Sequence, residues 1–198
     1  MNSREEIHQY WQNPPSGNLP NTYIKTLDNR SGYLVELIKR YGISSDRILE
    51  IGCNVGRNLE FLFKSNFQNL NAIEINSKAI LLLKETFPIM ADNLQIFFGS
   101  VEEQILFLQD NSFDITFTMA VFQHIHPDSN FIFPHVTRIT KKYLITVENE
   151  GSIGPTHFPR NYQKIFESLE MKQIYEEEWI KILGKGYWLR IFKKKNVE

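Results

Sequence analysis

One cysteine, Cys53, stands in 198 residues, so no internal disulfide can staple this chain, and no Cys and His cluster has the spacing of a structural zinc site. That suits a reducing compartment, and a cytoplasmic location is expected. Long apolar runs are missing too: nothing approaches the roughly 20 residues of a membrane-spanning helix, so no membrane insertion is expected. The opening MNSREEIHQYW is acidic and amphipathic where a secretory signal is basic and then apolar. Neither sign of charge is in excess. With 22 basic and 23 acidic residues there is no field to hold a phosphate backbone, and nucleic acid is not an expected partner. Lys193 to Lys195 reads as a solvated tail. Repeats and low-complexity tracts are also absent, and the length fits one domain (1–198) better than two.

What is present is alternation. Strand-like runs occur at Arg47 to Gly52, Leu70 to Ile75, Leu94 to Phe98, Phe113 to Met119, Tyr143 to Glu148, Lys172 to Glu178 and Tyr187 to Lys193, with helical spacing between most of them. Such a pattern predicts an α/β fold, a parallel sheet with helices on both faces. Ser3 and Glu6 form a capping box for a first helix that Pro14 and Pro15 end, and Pro14 to Asn21 reads as a loop. A second helix follows Ser31 and stops at Gly42. Further helices are expected from about Gly56 to Ser65, from a Ser77 cap to Pro88, near Glu103, within Ser129 to Lys141 where Pro134 delays or kinks it, and after Pro159.

The stretch ILEIGCNVGRNLEFL, Ile48 to Leu62, carries the most specific signal: a short apolar strand, a glycine-bounded turn, then helical spacing. A dinucleotide site asks for G-x-G-x-x-G, the third glycine letting helix and strand pack closely. Here the series is Gly52, Asn54 and Arg57, and the arginine argues against that packing. A ligand with an amino-acid end and no pyrophosphate fits better, because Glu50 offers a carboxylate to an ammonium. S-adenosylmethionine is such a ligand. Glu74, ending the next strand, can accept from both hydroxyls of a ribose, a device that dinucleotide and adenosylmethionine sites share.

These motifs resemble those of class I S-adenosylmethionine-dependent methyltransferases. LEIGCNVGRN is similar to the first motif of that family, AIEINSKAI to the acidic-strand motif, GSVEE to the adenine-loop motif and NSFDITFTMAVFQHIHP to the fourth motif with its following loop. More loosely, GCNVGRNL, EINSKAI and QHIHPDS are similar to methylases associated with pseudaminic acid and related bacterial surface-sugar pathways. The resemblance implies a Rossmann-like, seven-stranded, mostly parallel sheet whose last strand is antiparallel, with residues 46–198 as core and 1–45 as a helical lid or cover. By position, Gly52, Asn54 and Gly56 would hold the methionyl part of the cofactor, Glu74 the ribose, Ile75 an adenine face, Ser100 and Val101 the adenine edge, and Met119 the amino end. Two departures stand out: Asn54 replaces the middle glycine, and Ser100 stands where the family often has aspartate. Tyr10, Trp11 and Tyr23 are lid candidates, and Arg30 is a candidate for the cofactor carboxylate.

Transfer from a sulfonium asks for collinear alignment and exclusion of water, with a general base where the acceptor carries a proton. Candidate bases lie after the fourth and fifth strands: His124, His126, Glu148 and His157. Tyr10, Trp11, Glu150, Arg160 and Tyr162 are the candidate acceptor-binding residues. HxH with Asp128 lacks a third ligand, so no metal is expected. The expected partner is a small-molecule acceptor, such as a sugar hydroxyl, with S-adenosylhomocysteine as product. An N-methyltransferase acting on a protein or amine, with Glu148 and Glu150 facing the ammonium, and a cofactor-binding protein without transfer are the alternatives.

Overall fold

The computed structural model describes residues 2–25 and 29–195. Its strands are β1 (Ile48–Ile51), β2 (Leu70–Glu74), β3 (Gln95–Phe98), β4 (Phe113–Met119), β5 (Thr140–Asn149), β6 (Met171–Glu178) and β7 (Tyr187–Lys194). They form one seven-stranded sheet in the order β3-β2-β1-β4-β5-β7-β6. β1 pairs in parallel with β2 on one side and β4 on the other, β2 with β3, and β4 with β5. β7 alone runs against its neighbours, inserted between β5 and β6. The expected mostly parallel sheet with an antiparallel last strand is therefore present.

Every residue of β1 and β2 is buried, which is why both read as near-continuous apolar runs: helices cover both faces. The helices are α1 (Arg4–Gln12), α2 (Pro20–Lys25), α3 (Asn29–Tyr41), α4 (Arg57–Lys64), α5 (Ser77–Thr86), α6 (Pro88–Asp92), α7 (Val101–Gln104), α8 (Ile132–Ile139), α9 (Tyr162–Glu167) and α10 (Ile180–Leu183). One face packs Ile48, Ala72, Ile115 and Phe117 against Leu34, Leu37 and Ile38 of α3 and Leu59 and Leu62 of α4. The other packs Leu49, Ile51 and Ile73 against Val101, Phe133, Val136, Ile139 and Phe166. At roughly 1.5–3 kcal/mol for each fully buried large apolar side chain, these layers supply the main drive to fold. α3 is thus a layer of the core, whereas α1 and α2 lie outside its two clusters. The order of strands reverses at β1, so a crevice opens between the carboxyl ends of β1 and β4.

Several expectations need correction. Pro14 to Asn21 is not all loop, because α2 starts at Pro20 with proline at its first position, where no backbone donor is required. Pro88 likewise opens α6 while ending α5. α5 is capped by Asn76, not Ser77: its side chain accepts from Lys78 N and Ala79 N at 3.0 and 3.1 Å. Pro134 is the third residue of α8, within the turn whose N–H groups have no helical partner, so it delays nothing further and forces no kink. α9 is capped by Asn161 rather than opened by Pro159. Lys194 is no solvated tail: its Nζ donates to Asn111 and to the carbonyls of Thr137, Arg138 and Thr140.

Candidate functional site

The β1–α4 turn is built from three left-handed residues, Gly52, Asn54 and Gly56, at φ +72°, +51° and +72°. A Cβ on Gly52 would stand 2.5 Å from Val121 Cγ2, and one on Gly56 2.5 Å from Leu83 Cδ1, so close approach as well as backbone angle selects glycine. Asn54 needs no such space and tolerates the conformation. Its N–H donates to Glu74 Oε2 at 2.6 Å, while Asn76 N–H donates to Oε1 at 2.8 Å. Glu74 is therefore fixed at the end of β2 with a lone pair left on each oxygen. Burial raises its pKa, against the pull of these backbone bonds.

Glu50 is the other acid of the turn. Arg57 Nε donates to Ser31 Oγ at 3.0 Å, Ser31 Oγ donates to Asn58 Oδ1 at 2.6 Å, and Asn58 Nδ2 donates to Glu50 Oε1 at 2.7 Å. Burial pushes Glu50 up to about 8, because the Asn58 bond and Arg57 offset only part of the desolvation. Its Oε2 has no hydrogen-bond partner, and neither has Asn54 Oδ1 or Trp11 Nε1, all buried. These three orphaned polar atoms belong to residues lining one cavity.

That cavity, about 380 Å³, lies over the crevice and falls within the size range of small-molecule sites, roughly 300–1,000 Å³. Glu50, Gly52, Asn54, Glu74, Ile75, Ser100, Val101 and Met119 all line it, with Gly56 supporting the turn from behind. Ser100 caps α7, its hydroxyl accepting from Glu103 N at 3.3 Å in a capping box, so its oxygen already has one partner. α1 closes the other side. Trp11 lies against His124 with ring centroids 4.6 Å apart, Asn76 Nδ2 donates to the Trp11 carbonyl at 3.0 Å, and His8 Nε2 sits 3.1 Å from Glu102 Oε1. That contact raises the pKa of His8; burial is the largest influence on Glu102 and pushes its pKa up, but His8, a backbone N–H and Ser129 together bring it down. Tyr23 and Arg30 also line the cavity, and Tyr23 O–H donates to Asn18 Oδ1 at 3.3 Å.

Beyond Met119, the wall is made by Gln123, His124, His157 and Tyr187. His124 is 9% exposed, its ring 4.4 Å from that of His157. Its Nδ1 lies 2.6 Å from the Thr156 carbonyl, which can only accept, and its Nε2 lies 3.1 Å from Gln123 Nε2. Burial pushes its pKa down to about 4. His157, also shifted down by burial, has Nδ1 3.3 Å from Thr156 Oγ1.

The remaining candidates are elsewhere. His126 is turned to the loop, its Nδ1 accepting from Asp128 N at 3.2 Å. Glu148 is wholly buried behind the wall, where its oxygens accept from Thr118 Oγ1, Val121 N and Gln123 N at 2.8–3.2 Å. Burial holds Glu148 up at about 7, and its role is to shape the loop after β4. Glu150 does not share a free side with it: Arg190 takes both its oxygens at 2.7 and 3.0 Å. Arg160 ties Asn130 to the carbonyls of Phe122, Phe158 and Ile125, and Tyr162 is core, stacked among Phe122, Phe133 and Phe166. Tyr10 supports Trp11 edge-on, at 5.1 Å between ring centroids, without lining the cavity. Sequence reasoning missed Gln123, Tyr187, His8 and Glu102 as site residues. Glu102 stood within the adenine-loop motif and Gln123 within the fourth motif and its loop, but His8 and Tyr187 carry no local signal.

Among the described residues no group of three or more His, Cys, Asp or Glu side chains is placed to hold a metal ion, and no helix is long and apolar enough to cross a membrane. A family model described as a methyltransferase domain matches residues 49–144, from β1 into β5. No curated protein matches. Among solved structures, an S-adenosylmethionine-dependent methyltransferase from Leishmania major superposes with a TM-score of 0.73 at 15% identity, over 96% of this chain and 82% of that one. One from Methanosarcina mazei gives 0.64 at 19% identity, over 80% and 96%, and one from Aquifex aeolicus 0.62 at 18%, over 88% and 97%. These likenesses carry the fold. The residues present also fit the cofactor: the orphaned Glu50 oxygen suits its ammonium, Glu74 its ribose, and the Ile75 to Val101 side its adenine. A methyltransferase domain is thus matched over residues 49–144, and the fold and cavity around it are similar to those of S-adenosylmethionine-dependent methyltransferases.

Proposed function

We propose that this methyltransferase acts on a hydroxyl of a small neutral acceptor such as a sugar, using His157 as the group that takes the proton. One observation carries the reading: the three carboxylates lining the cavity, Glu50, Glu74 and Glu102, belong to β1, β2 and α7, whereas Tyr23, Gln123, His124, His157 and Tyr187 make up the far wall. An ammonium or protein lysine acceptor would want a carboxylate there, and the two once suited to it, Glu148 and Glu150, are committed to the loop and to Arg190. Apart from Glu148 behind it, the wall is aromatic and amide-lined, suited to a neutral hydroxylated molecule.

When bound, the cofactor supplies a methyl carbon that bonds to the acceptor oxygen as its bond to sulfur breaks, the electron pair passing to sulfur and leaving S-adenosylhomocysteine. Gly52, Asn54 and the peptide of Met119 would hold its methionyl part, with Arg30 near the carboxylate. Trp11 and α1 exclude water from above. The hydroxyl proton passes to His157, because both nitrogens of His124 are engaged. The lone thiol, buried beside the turn, fits a cytoplasmic enzyme, and the two core layers fit one domain under an N-terminal cover. The test is incubation with methyl-labelled cofactor and fractionated extract. Label is expected in small neutral compounds, and label confined to protein or amines overturns the acceptor class.

A further inference from the structure

Gln123 is buried at the centre of the acceptor wall, and its orientation is not ambiguous. Asn149 N–H lies 2.7 Å from Gln123 Oε1 and can only donate, so that atom is the amide oxygen and Nε2 is the donor. The two protons of Nε2 have two partners, His124 Nε2 at 3.1 Å and Tyr187 Oη at 3.3 Å. His124 Nε2 must then accept, which agrees with Nδ1 carrying the proton toward Thr156 O. Tyr187 oxygen must likewise accept, and its own proton has no partner among the described residues. The backbone supplies the fixed point, since Glu148 anchors Gln123 N–H at 3.1 Å and pairing with β7 holds Asn149 opposite Tyr187.

We infer that Gln123 is a positioning residue that locks His124 as a neutral, hydrogen-bonded wall and turns the Tyr187 hydroxyl toward the cavity as a donor, so that Tyr187 selects an acceptor presenting a lone pair. This rests on the reading that the Met119 to Tyr187 side of the cavity receives the acceptor. A hydroxyl or carbonyl oxygen satisfies Tyr187, whereas an ammonium, having no lone pair, leaves the proton of this half-buried hydroxyl unmatched in the wall. The bare histidine at 124, which sequence spacing puts forward as a base, is thereby withdrawn from proton transfer.

The test uses the full chain saturated with S-adenosylhomocysteine and labelled with nitrogen-15 in histidine. In the wild type, His124 is expected as the Nδ1–H tautomer, uncharged down to about pH 5. Gln123→Glu keeps the bond from Asn149 but replaces the donor with an acceptor, and should bring His124 to the imidazolium form at pH 7, a rise of more than three units from about 4. Gln123→Met, which adds no charge, should free Nε2 and give a mixture of tautomers. Tyr187→Phe should leave the His124 tautomer as in the wild type. All three variants should hold S-adenosylhomocysteine within about threefold of the wild type. An Nε2–H tautomer in the wild type, or a His124 signal unmoved in Gln123→Glu, overturns the proposal while cofactor binding stands. Failure of the wild type to bind S-adenosylhomocysteine instead removes the reading beneath it.

Discussion

If Glu50 receives the cofactor ammonium, binding must release a proton. In the free protein burial holds Glu50 at about 8 against an ordinary 4.5, so at pH 7 it is mostly protonated. At about 1.36 kcal/mol per unit, that gap disfavours the carboxylate by about 5 kcal/mol, an amount an ammonium at the unpartnered Oε2 would largely return. Titration of the protein with S-adenosylhomocysteine in buffers of different ionisation enthalpy should show uptake of about 0.9 proton by the buffer per site at pH 7. Affinity should rise about tenfold per unit from about pH 6 to 8 and level off above, where Glu50 is already charged. Stability of the free protein runs the opposite way. Because folding raises this pKa, its favourable contribution is full below about 4.5 and is lost as pH rises through about 8. Glu50→Gln should abolish both the slope and the proton release and weaken binding at pH 8 by about 10- to 100-fold. A flat wild-type profile without proton release, or a slope that survives in Glu50→Gln, would refute the assignment.

Other outcomes follow from single contacts. Glu74→Ala should weaken S-adenosylhomocysteine about 10- to 100-fold by calorimetry and loosen the turn that Asn54 N–H anchors; unchanged affinity would mean no ribose contact. Gly52→Ala combines a left-handed backbone with a 2.5 Å clash against Val121, and should lose measurable binding while the far-ultraviolet spectrum persists. Removing residues 2–19 takes away Trp11 and His8 but no layer of the core, so the sheet should still melt cooperatively while ligand dissociation, read by stopped flow, accelerates tenfold or more. Glu150→Ala leaves Arg190, only 5% exposed, with Glu176 and Gln173, and should lower stability by about 3 kcal/mol in denaturant titration without changing cofactor affinity.

The strands and the cofactor turn were legible because their signals are local. Gly52 and Gly56 carry a backbone requirement that the chain writes directly as glycine, and β1 and β2 are buried on both faces, so apart from Glu50, Asn71 and Glu74 they read as apolar runs. Helix ends were less legible, since proline both ends and begins helices: Pro88 does both, and nothing within a few residues says which. The acceptor wall was the least legible part. Glu148 lies in β5 and Glu150 just past its end, but their partners decide their fates, Glu148 facing the β4 loop and Glu150 meeting Arg190 from β7. Gln123 and Tyr187 are 64 positions apart and meet only because β7 folds back beside β5, a pairing that periodicity does not encode. The same distance hides the tautomer of His124, which depends on an amide set by Asn149.

The place of β7 also has a consequence for the order in which the molecule assembles. Among the described residues β6 has no sheet neighbour except β7, and β7 follows it in the chain. During synthesis, β1 to β5 can close their parallel ladders and the cofactor turn while β6 still has nothing to pair with. The late strand then enters between β5 and β6, completing two antiparallel ladders in one event and delivering Tyr187 to the half-built wall. The Glu50 and Glu74 side of the cavity can therefore form before β7 is made, and Tyr187 joins the opposite wall only when the last strand docks. A nascent chain stalled before Tyr187 would be expected to present a turn for adenosylmethionine without a complete wall to direct its methyl group.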